Sequence, residues 1–350
     1  MTKKFDVMVV VGRFQPVHLA HVGLLKKAAE LSDKVVVIIG SAGLPRTFKN
    51  PWVDRERGAM LIEAIAAINP EGSDKFAIEK VHDTIYDNPA WEVRVQRLVG
   101  KHSDDFSKIG IIGYQKDDSS FYLKKSFPQW TFVEQPLVNN EPLNATDIRE
   151  VYFNPEICNL NWFTGVLPET TIAYLRWFKD SPEYNQVVRE REFTKNYKKQ
   201  FEHLKHPPTF VTVDAIVIQS GHVLLVKRKE EPGRDLWAFP GGFLDAIGDK
   251  SIEDAMIREL QQETKIKLQE RILRRNIRQV HVFDAIERSS RGRTITHCFH
   301  IRLLDGEWDL PKVKGGDDAK EAKWWPISAV TSEMFFEDHY EILQYFMGEI

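Results

Sequence analysis

Two stretches of the chain carry residue types spaced for chemistry on phosphate. In the first, Gly12-Arg13-Phe14-Gln15-Pro16-Val17-His18-Leu19-Ala20-His21, a glycine lets the backbone turn out of an apolar run, and two histidines three residues apart open a helical pattern. Side chains at that spacing share a helix face, so both imidazoles can address one ligand. A helix N-terminus adds N–H donors and the positive end of its dipole, which together favour phosphate. Such a site suits nucleotidyl transfer, in which a phosphate of one substrate attacks the α-phosphate of ATP and pyrophosphate leaves. No covalent nucleophile is required, and catalysis is positioning plus charge stabilisation. His18 and His21 would donate to the phosphates and Arg13 would add a fixed cation. Taken alone, the histidine pair also suits a surface position or a metal site. In the second stretch Glu259 and Glu263 stand four apart in a helical pattern, so their carboxylates share one face. Oxygen ligands grouped this way suit Mg²⁺, which in turn engages a diphosphate. Alone, such a pair is also a common solvated face.

The elements that must position these residues fall into two styles. The chain has 350 residues, more than a single core usually organises, so two domains are expected. With 42% hydrophobic and 28% charged residues it can bury ordinary cores. A net charge of −3 offers no broad basic field for nucleic acid or an anionic membrane, although the local cluster Arg271–Arg278 is basic. Two cysteines far apart, Cys158 and Cys298, suit a reducing compartment. The start lacks the pattern of a signal peptide and no apolar stretch reaches membrane-spanning length, so a cytoplasmic location is expected.

From the start, strand-like runs (Phe5–Val11, Lys34–Gly40, Phe76–Val81, Ile109–Gly113) alternate with helical patterns (Leu19–Leu31, Asp54–Ile68, Pro89–His102). That alternation predicts a Rossmann-like α/β domain with a parallel sheet, whose ligands sit at the C-terminal strand ends. After Pro168 a charged, aromatic-containing stretch runs to Pro207-Pro208 and reads as a helical linker. The boundaries expected are therefore 1–167, 168–207 and 208–350. The last segment reads as an α+β domain: strands Thr209–Ile218 and His222–Arg228, a glycine-rich loop, a helix Ser251–Thr264, strands near Val280–Phe283 and Thr294–Leu303, and a final helix Glu333–Met347.

The Gly12–His21 block resembles the (H/T)xxH signature of the nucleotidyltransferase superfamily in its GRFQPxHxxH form. Leu143-Asn144-Ala145-Thr146-Asp147-Ile148-Arg149 is similar to that superfamily's ISSTxxR phosphate-binding element, with Asn144 and Ala145 in place of two serines. The segments Pro45–Trp52 and Tyr86–Trp91 resemble nicotinamide mononucleotide adenylyltransferases of the archaeal-like type. This resemblance implies an ATP and mononucleotide site made of Gly12, Phe14, Gln15, Arg46, Asn50, Asn88, Trp91, Lys116, Asp117, Thr146 and Arg149 around the catalytic Arg13, His18 and His21. Trp91 would stack on the nicotinamide ring, Asn88 would read its amide, and Arg46 and Asn50 would lie near phosphate or ring.

In the second domain Gly241-Gly242-Phe243-Leu244, followed by Arg258-Glu259-Leu260-Gln261-Gln262-Glu263-Thr264, resembles the Nudix box. The departures are specific: Lys250 stands where the first Glu of the pattern belongs, the loop is two residues longer, and Gln262 and Lys265 replace a Glu and a Gly. Asp249 is a substitute carboxylate, giving Asp249, Glu259 and Glu263 as the metal set. Phe283-Asp284 and Arg288–His297 resemble ADP-ribose-handling Nudix proteins, which implies Gly241, Gly242, Phe243, Arg258, Asp284, Arg288, Arg291, Arg293 and Thr294 as ADP-ribose contacts. Asp317, Asp318 and Glu321 are candidates for a catalytic base.

Together the two resemblances imply a bifunctional enzyme. The first domain would make NAD and pyrophosphate from ATP and nicotinamide mononucleotide, and the second would hydrolyse ADP-ribose to AMP and ribose 5-phosphate, with Mg²⁺, or Mn²⁺ in its place. Two alternatives stay open: a different phosphorylated acceptor at the first site, and a second domain that senses ADP-ribose or a related NAD metabolite without cutting it. Neither nucleic acid nor membrane is an expected partner, and a homo-oligomer is compatible with the sequence.

Overall fold

A computed structural model of the chain describes residues 4–70, 72–114, 122–135, 144–304 and 309–348. Its contacts divide into two units, Met1–Val188 and Arg189–Ile350.

The first unit runs β1 (Phe5–Gly12), α1 (Leu19–Leu31), β2 (Ser32–Ile39), α2 (Asp54–Ile68), β3 (Phe76–Lys80), α3 (Asn88–Gly100), β4 (Ile109–Gly113), α4 (Tyr122–Lys125), β5 (Thr131–Glu134), α5 (Ala145–Tyr152) and α6 (Glu169–Phe178), then enters α7 (Pro182–Lys199). Its five strands are all parallel, in the order β3-β2-β1-β4-β5. Chain order reverses between β1 and β4, and such switch points are where open α/β sheets bind ligands. Past Asp6 the central strand β1 runs apolar from Val7 to Val11 because both its faces are covered. Met8 and Val10 join a core with α1, α2, α5 and α6, whereas Val7 and Val9 join a second with α3 and α4.

Within the stretch 168–207, α6 and the start of α7 pack into the first unit. Ile172, Leu175 and Phe178 of α6, and Tyr184, Val187 and Val188 of α7, fill the first core. From Arg189 onward α7 belongs to the second unit. The reason is an apolar face on α6 and early α7 that needs burial, masked in sequence by the charged residues between.

The second unit continues with β6 (Phe210–Gln219), β7 (His222–Arg228), β8 (Trp237–Ala238), β9 (Gly241–Phe243), α8 (Ile252–Thr264), α9 (Glu270–Arg275), β10 (Ile277–Phe283), β11 (Thr294–Arg302), β12 (Ala319–Pro326) and α10 (His339–Met347). The sheet is mixed, in the order β10-β11-β6-β7-β12, with β8 beside β7 and β9 beside β6. The hairpin β6–β7 turns through Ser220 and Gly221, with φ of 47° and 70°, the left-handed geometry that two-residue hairpins need. Ser251 caps α8 by accepting from the Asp254 N–H at 3.1 Å, and the helix lays Ala255, Met256, Ile257 and Leu260 on the core.

Two expectations change here. The final helix does not begin at Glu333. Phe336 N donates to Trp237 O at 2.8 Å and Glu337 takes φ of 47°, so this segment crosses to β8 before α10 starts at His339. The basic cluster 271–278 is also partly neutralised, since Arg274 reaches Glu253 and Asp254, each at 2.6 Å. Among the described residues no helix is long and apolar enough to cross a membrane.

Candidate functional sites

Beyond the C-terminal end of β1 the chain turns sharply. Phe14, 1% exposed, takes φ of 53° and sets its ring 4.7 Å from His21. His18 caps α1, and its ring stacks on that of His21 with centroids 3.6 Å apart and planes at 21°. The His18 N–H donates to His21 Nδ1 at 3.2 Å. A nitrogen that accepts carries no proton, so neutral His21 holds its proton on Nε2.

This turn is braced from three directions. The Gln15 amide grips the Trp52 backbone both ways, donating to Trp52 O at 2.9 Å and accepting from its N–H at 3.1 Å. Arg149 of α5, 3% exposed, donates to Gln15 O at 2.9 Å and to Thr146 Oγ1 at 3.0 Å. Arg57 of α2, 1% exposed, donates to Arg13 O and Gly40 O, each at 2.6 Å, and to Ser41 O at 2.9 Å. Burial lowers both guanidinium pKa values to about 10, and Arg13 nearby acts in the same direction on each.

Sequence-derived residues therefore meet in part. Gly12, Arg13, Phe14, Gln15, His18, His21, Thr146 and Arg149 form one connected group. Arg46 has another employment: it pairs with Glu56 through two contacts of 2.9 Å, donates to Pro51 O, and lies over the Phe178 ring. Asn50 is 9% exposed within a turn closed on Thr47. Asn88 is exposed in the first turn of α3, where Asp87 is the cap. Trp91 is half-buried against Tyr122 and Phe127, in the core on the sheet face opposite α1. Lys116 and Asp117 lie outside the described residues.

The second unit holds a cavity of about 460 Å³ between β9, α8 and the segment leading into α10. One wall is carboxylate. Glu263 accepts from the Gly241 N–H at 2.9 Å, and burial, with Glu259 beside it, pushes its pKa up to about 8. Burial raises that of Glu259 as well, against the pull of Arg258. Two glycines make room on either side of β9, Gly241 against β6 and Gly242 against the Glu259 carboxylate of α8. A Cβ at Gly241 would stand 2.1 Å from Val213 O, and one at Gly242 would stand 2.5 Å from Glu259 Oε1.

The lining also carries arginines. Arg228 lies 4.0 Å over the Phe336 ring, and Arg291 lies 5.0 Å from that of Phe243. Arg288 is buried and paired with Asp338 through two contacts of 2.9 Å. Asp214, on β6, is fully buried beside Thr296, and burial pushes its pKa up to about 6. His339 accepts from the Phe239 N–H at 3.0 Å, and burial, then Arg288, drives its pKa well down.

Several residues expected at the second site have other partners or lie elsewhere. Asp249 is engaged by Arg258, which takes both its oxygens, at 2.8 and 2.7 Å. The guanidinium also holds Glu259 at 2.8 Å and Gln262 at 3.1 Å, so it orders the helix face that the cavity sees. Among the described residues no group of three or more His, Cys, Asp or Glu side chains is arranged to hold a metal ion. Asp284, Arg293 and Thr294 also lie away from the cavity lining. Arg293 instead pairs with Asp284 at 3.7 Å, and Thr294 is buried at the start of β11. Of the candidate bases, Asp317 and Asp318 line the cavity, whereas exposed Glu321 does not.

Sequence reading missed Arg57, Asp214, Arg228, Asp338 and His339, and the aromatic Phe193 and Tyr197 of α7, both in the cavity lining. Asp214 did leave a signal, as a lone carboxylate within Phe-Val-Thr-Val-Asp-Ala-Ile-Val-Ile. The others become meaningful only through partners distant in sequence.

A parallel sheet with a histidine-bearing helix start at its switch point, and a mixed sheet with paired glutamates facing arginines, define a nucleotidyltransferase-type unit followed by a Nudix-type unit. Family comparisons agree: residues 9–150 match the cytidylyltransferase-like family and residues 208–346 the NUDIX domain. The chain belongs to the family of bifunctional NMN adenylyltransferase/ADP ribose pyrophosphatases. The crystal structure of such a protein from Francisella tularensis, complexed with AMP and Mn ion, superimposes with a TM-score of 0.88 at 34% identity, covering 99% of both chains. The nicotinamide/nicotinic acid mononucleotide adenylyltransferase of Acinetobacter baylyi is 36% identical over 53% of this chain and 94% of its own. The ADP-ribose pyrophosphatase of Methanocaldococcus jannaschii is 29% identical over 46% of this chain and 83% of its own.

Proposed function

We propose that the first unit transfers the adenylyl group of Mg-ATP to nicotinamide mononucleotide, forming NAD and pyrophosphate, and that the second hydrolyses ADP-ribose to AMP and ribose 5-phosphate. One pairing of observations carries this reading: a braced His18–His21 helix start in one unit and, in the other, a cavity lined by arginines and the Glu259–Glu263 pair.

At the first site the mononucleotide phosphate oxygen attacks the α-phosphorus of ATP, and the bond to the β-phosphate bridging oxygen breaks. The protein's work is to hold both phosphates and stabilise the charge that builds up on them. His21 donates through Nε2–H, His18 stacks beside it, and Arg13 supplies a cation on the same turn. Arg149 and Thr146 fix that turn and present positive charge from behind it. Gly12 and Phe14 shape the turn, and Gln15 sets its distance from the 46–52 segment. Trp91, Asn88 and Asn50 remain candidates for the mononucleotide, and Lys116 and Asp117 for the same cleft.

At the second site Arg228 and Arg291 face the diphosphate, with Gly241, Gly242 and Phe243 at its edge. Glu259 and Glu263 would hold a divalent cation, Mg²⁺ or Mn²⁺, which supplies neutralisation of the diphosphate and activation of the attacking water. The donor set fits such an ion: two hard oxygen ligands whose proton affinity is raised by burial, and at Glu263 also by Glu259 beside it, the situation a bound cation relieves. Arg258 positions Glu259, and Asp317 and Asp318, which line the cavity, are the candidates to take the water's proton.

A sensing role for the second unit is the alternative, favoured by Lys250, Gln262 and the engagement of Asp249 by Arg258. Tight ADP-ribose binding with no AMP formed in Mg²⁺ or Mn²⁺ would establish it. Free thiols at Cys158 and Cys298 support a cytoplasmic setting. The test of the main reading is product analysis by chromatography, offering amidated and deamidated mononucleotide with ATP or CTP, and ADP-ribose with each metal. NAD from ATP and AMP from ADP-ribose are expected. Absence of NAD would mean another phosphorylated acceptor.

A further inference from the structure

The NUDIX match begins at residue 208, yet the cavity it surrounds is lined in part by α7, which ends before that point. Phe193 and Tyr197, four apart on α7, stack with centroids 6.2 Å apart and planes at 21°. Tyr197 packs on Phe210 at 5.9 Å, and Phe210 meets Phe243 edge-on at 5.6 Å. Arg291 closes the array, with its guanidinium 5.0 Å from the Phe243 ring. Phe193 and Phe243 nonetheless stay 36% and 37% exposed beside the cavity. Burial is the ordinary fate of such rings, so aromatic surface left open beside a diphosphate-sized polar site suits a planar apolar group on the same ligand.

We infer that Phe193 and Tyr197, with Phe243, form the base-recognition wall of the second site, so that the helix preceding the NUDIX domain determines which diphosphates it accepts. The ligand class is a nucleoside 5′-diphosphate ester. Its diphosphate lies between the arginines and Glu259 and Glu263, and its base rests against the α7 rings. Stacking on aromatic faces tolerates any base, and the wall therefore selects for the presence of a base more than for its identity. This inference rests on the hydrolytic reading given above.

The experiment is steady-state hydrolysis by the full chain of ADP-ribose and of a base-free analogue, diphosphate-linked diribose, with Mg²⁺. Wild type is compared with Phe193→Ala, Tyr197→Ala and the conservative Tyr197→Phe. Each alanine variant is expected to raise KM for ADP-ribose at least about fivefold, with kcat within about twofold, and to leave kcat/KM for the base-free analogue unchanged. Tyr197→Phe should retain the wild-type KM. Unchanged KM in both alanine variants, or equal losses on both substrates, overturns the inference while the hydrolytic reading stands. Wild-type protein that hydrolyses neither substrate overturns both.

Discussion

Single buried charges govern how both sites are held. Arg57 satisfies three backbone carbonyls at the ends of β1 and β2, and each buried group left without its partner costs about 1–3 kcal/mol. Arg57→Met should therefore destabilise the first unit by roughly 3 kcal/mol or more in urea unfolding, and NAD formation should fall with it as the Arg13–His18 turn loosens. Stability close to wild type would show that the brace is dispensable. Glu263 makes a pH prediction. Its folded pKa of about 8 stands above the ordinary value of 4.5, so the protonated form is favoured by folding. The associated stability is complete below pH 4.5 and lost as pH rises through about 8. In chelator-treated protein the unfolding free energy of the second unit should decline over that window, and Glu263→Gln should remove much of the decline. His18, His21, Glu259 and Glu263 were readable as candidates because each pair stands at close helical spacing inside a longer motif, although His18 caps α1 in extended backbone rather than lying within it. Arg57 and the Arg288–Asp338 pair were not, since their partners lie 44 and 50 residues away and no local pattern marks them. Asp249 shows that a carboxylate at a suitable place in sequence says nothing about whether an arginine already holds it.

Among the elements, the strand β9 and helix α8 work as one device. Glycine at 242 leaves the volume that the Glu259 carboxylate occupies. In Gly242→Ala the new methyl must displace that carboxylate, so AMP formation should fall at least about tenfold, equivalent to ~1.4 kcal/mol, with NAD formation unchanged. Wild-type hydrolysis in this variant would mean that the position of Glu259 is not critical. Elements with sustained periodicity, α1, α2 and α8 above all, were readable to within a residue or so. The strands β5, β8, β9 and β12 were not: β8 has two residues and β9 three, too short for any period, and β12 carries mostly charged and aromatic residues along an edge. The residues before α10 look helical, yet pairing with Trp237 draws Phe335 and Phe336 out of the helix. That exchange also delivers Glu337, Asp338 and His339 to the cavity region, a tertiary effect beyond local propensity.

At the scale of the whole molecule, the two architectures were visible as a change of pattern, from alternating strands and helices to hairpins around a glycine-rich loop. Their boundary was less so. Charged residues disguise α6 and α7, whose apolar faces commit the chain to one unit up to Val188 and to the other from Arg189. The central claim is that one chain carries two separate chemistries. The measurement that tests it most directly follows NAD from Mg-ATP and nicotinamide mononucleotide, and AMP from ADP-ribose, in wild type, His18→Ala and Glu263→Gln. The account predicts that His18→Ala loses NAD formation and keeps ADP-ribose hydrolysis, and that Glu263→Gln does the reverse. Loss of both activities in either folded variant, or retention of both in each, would contradict it.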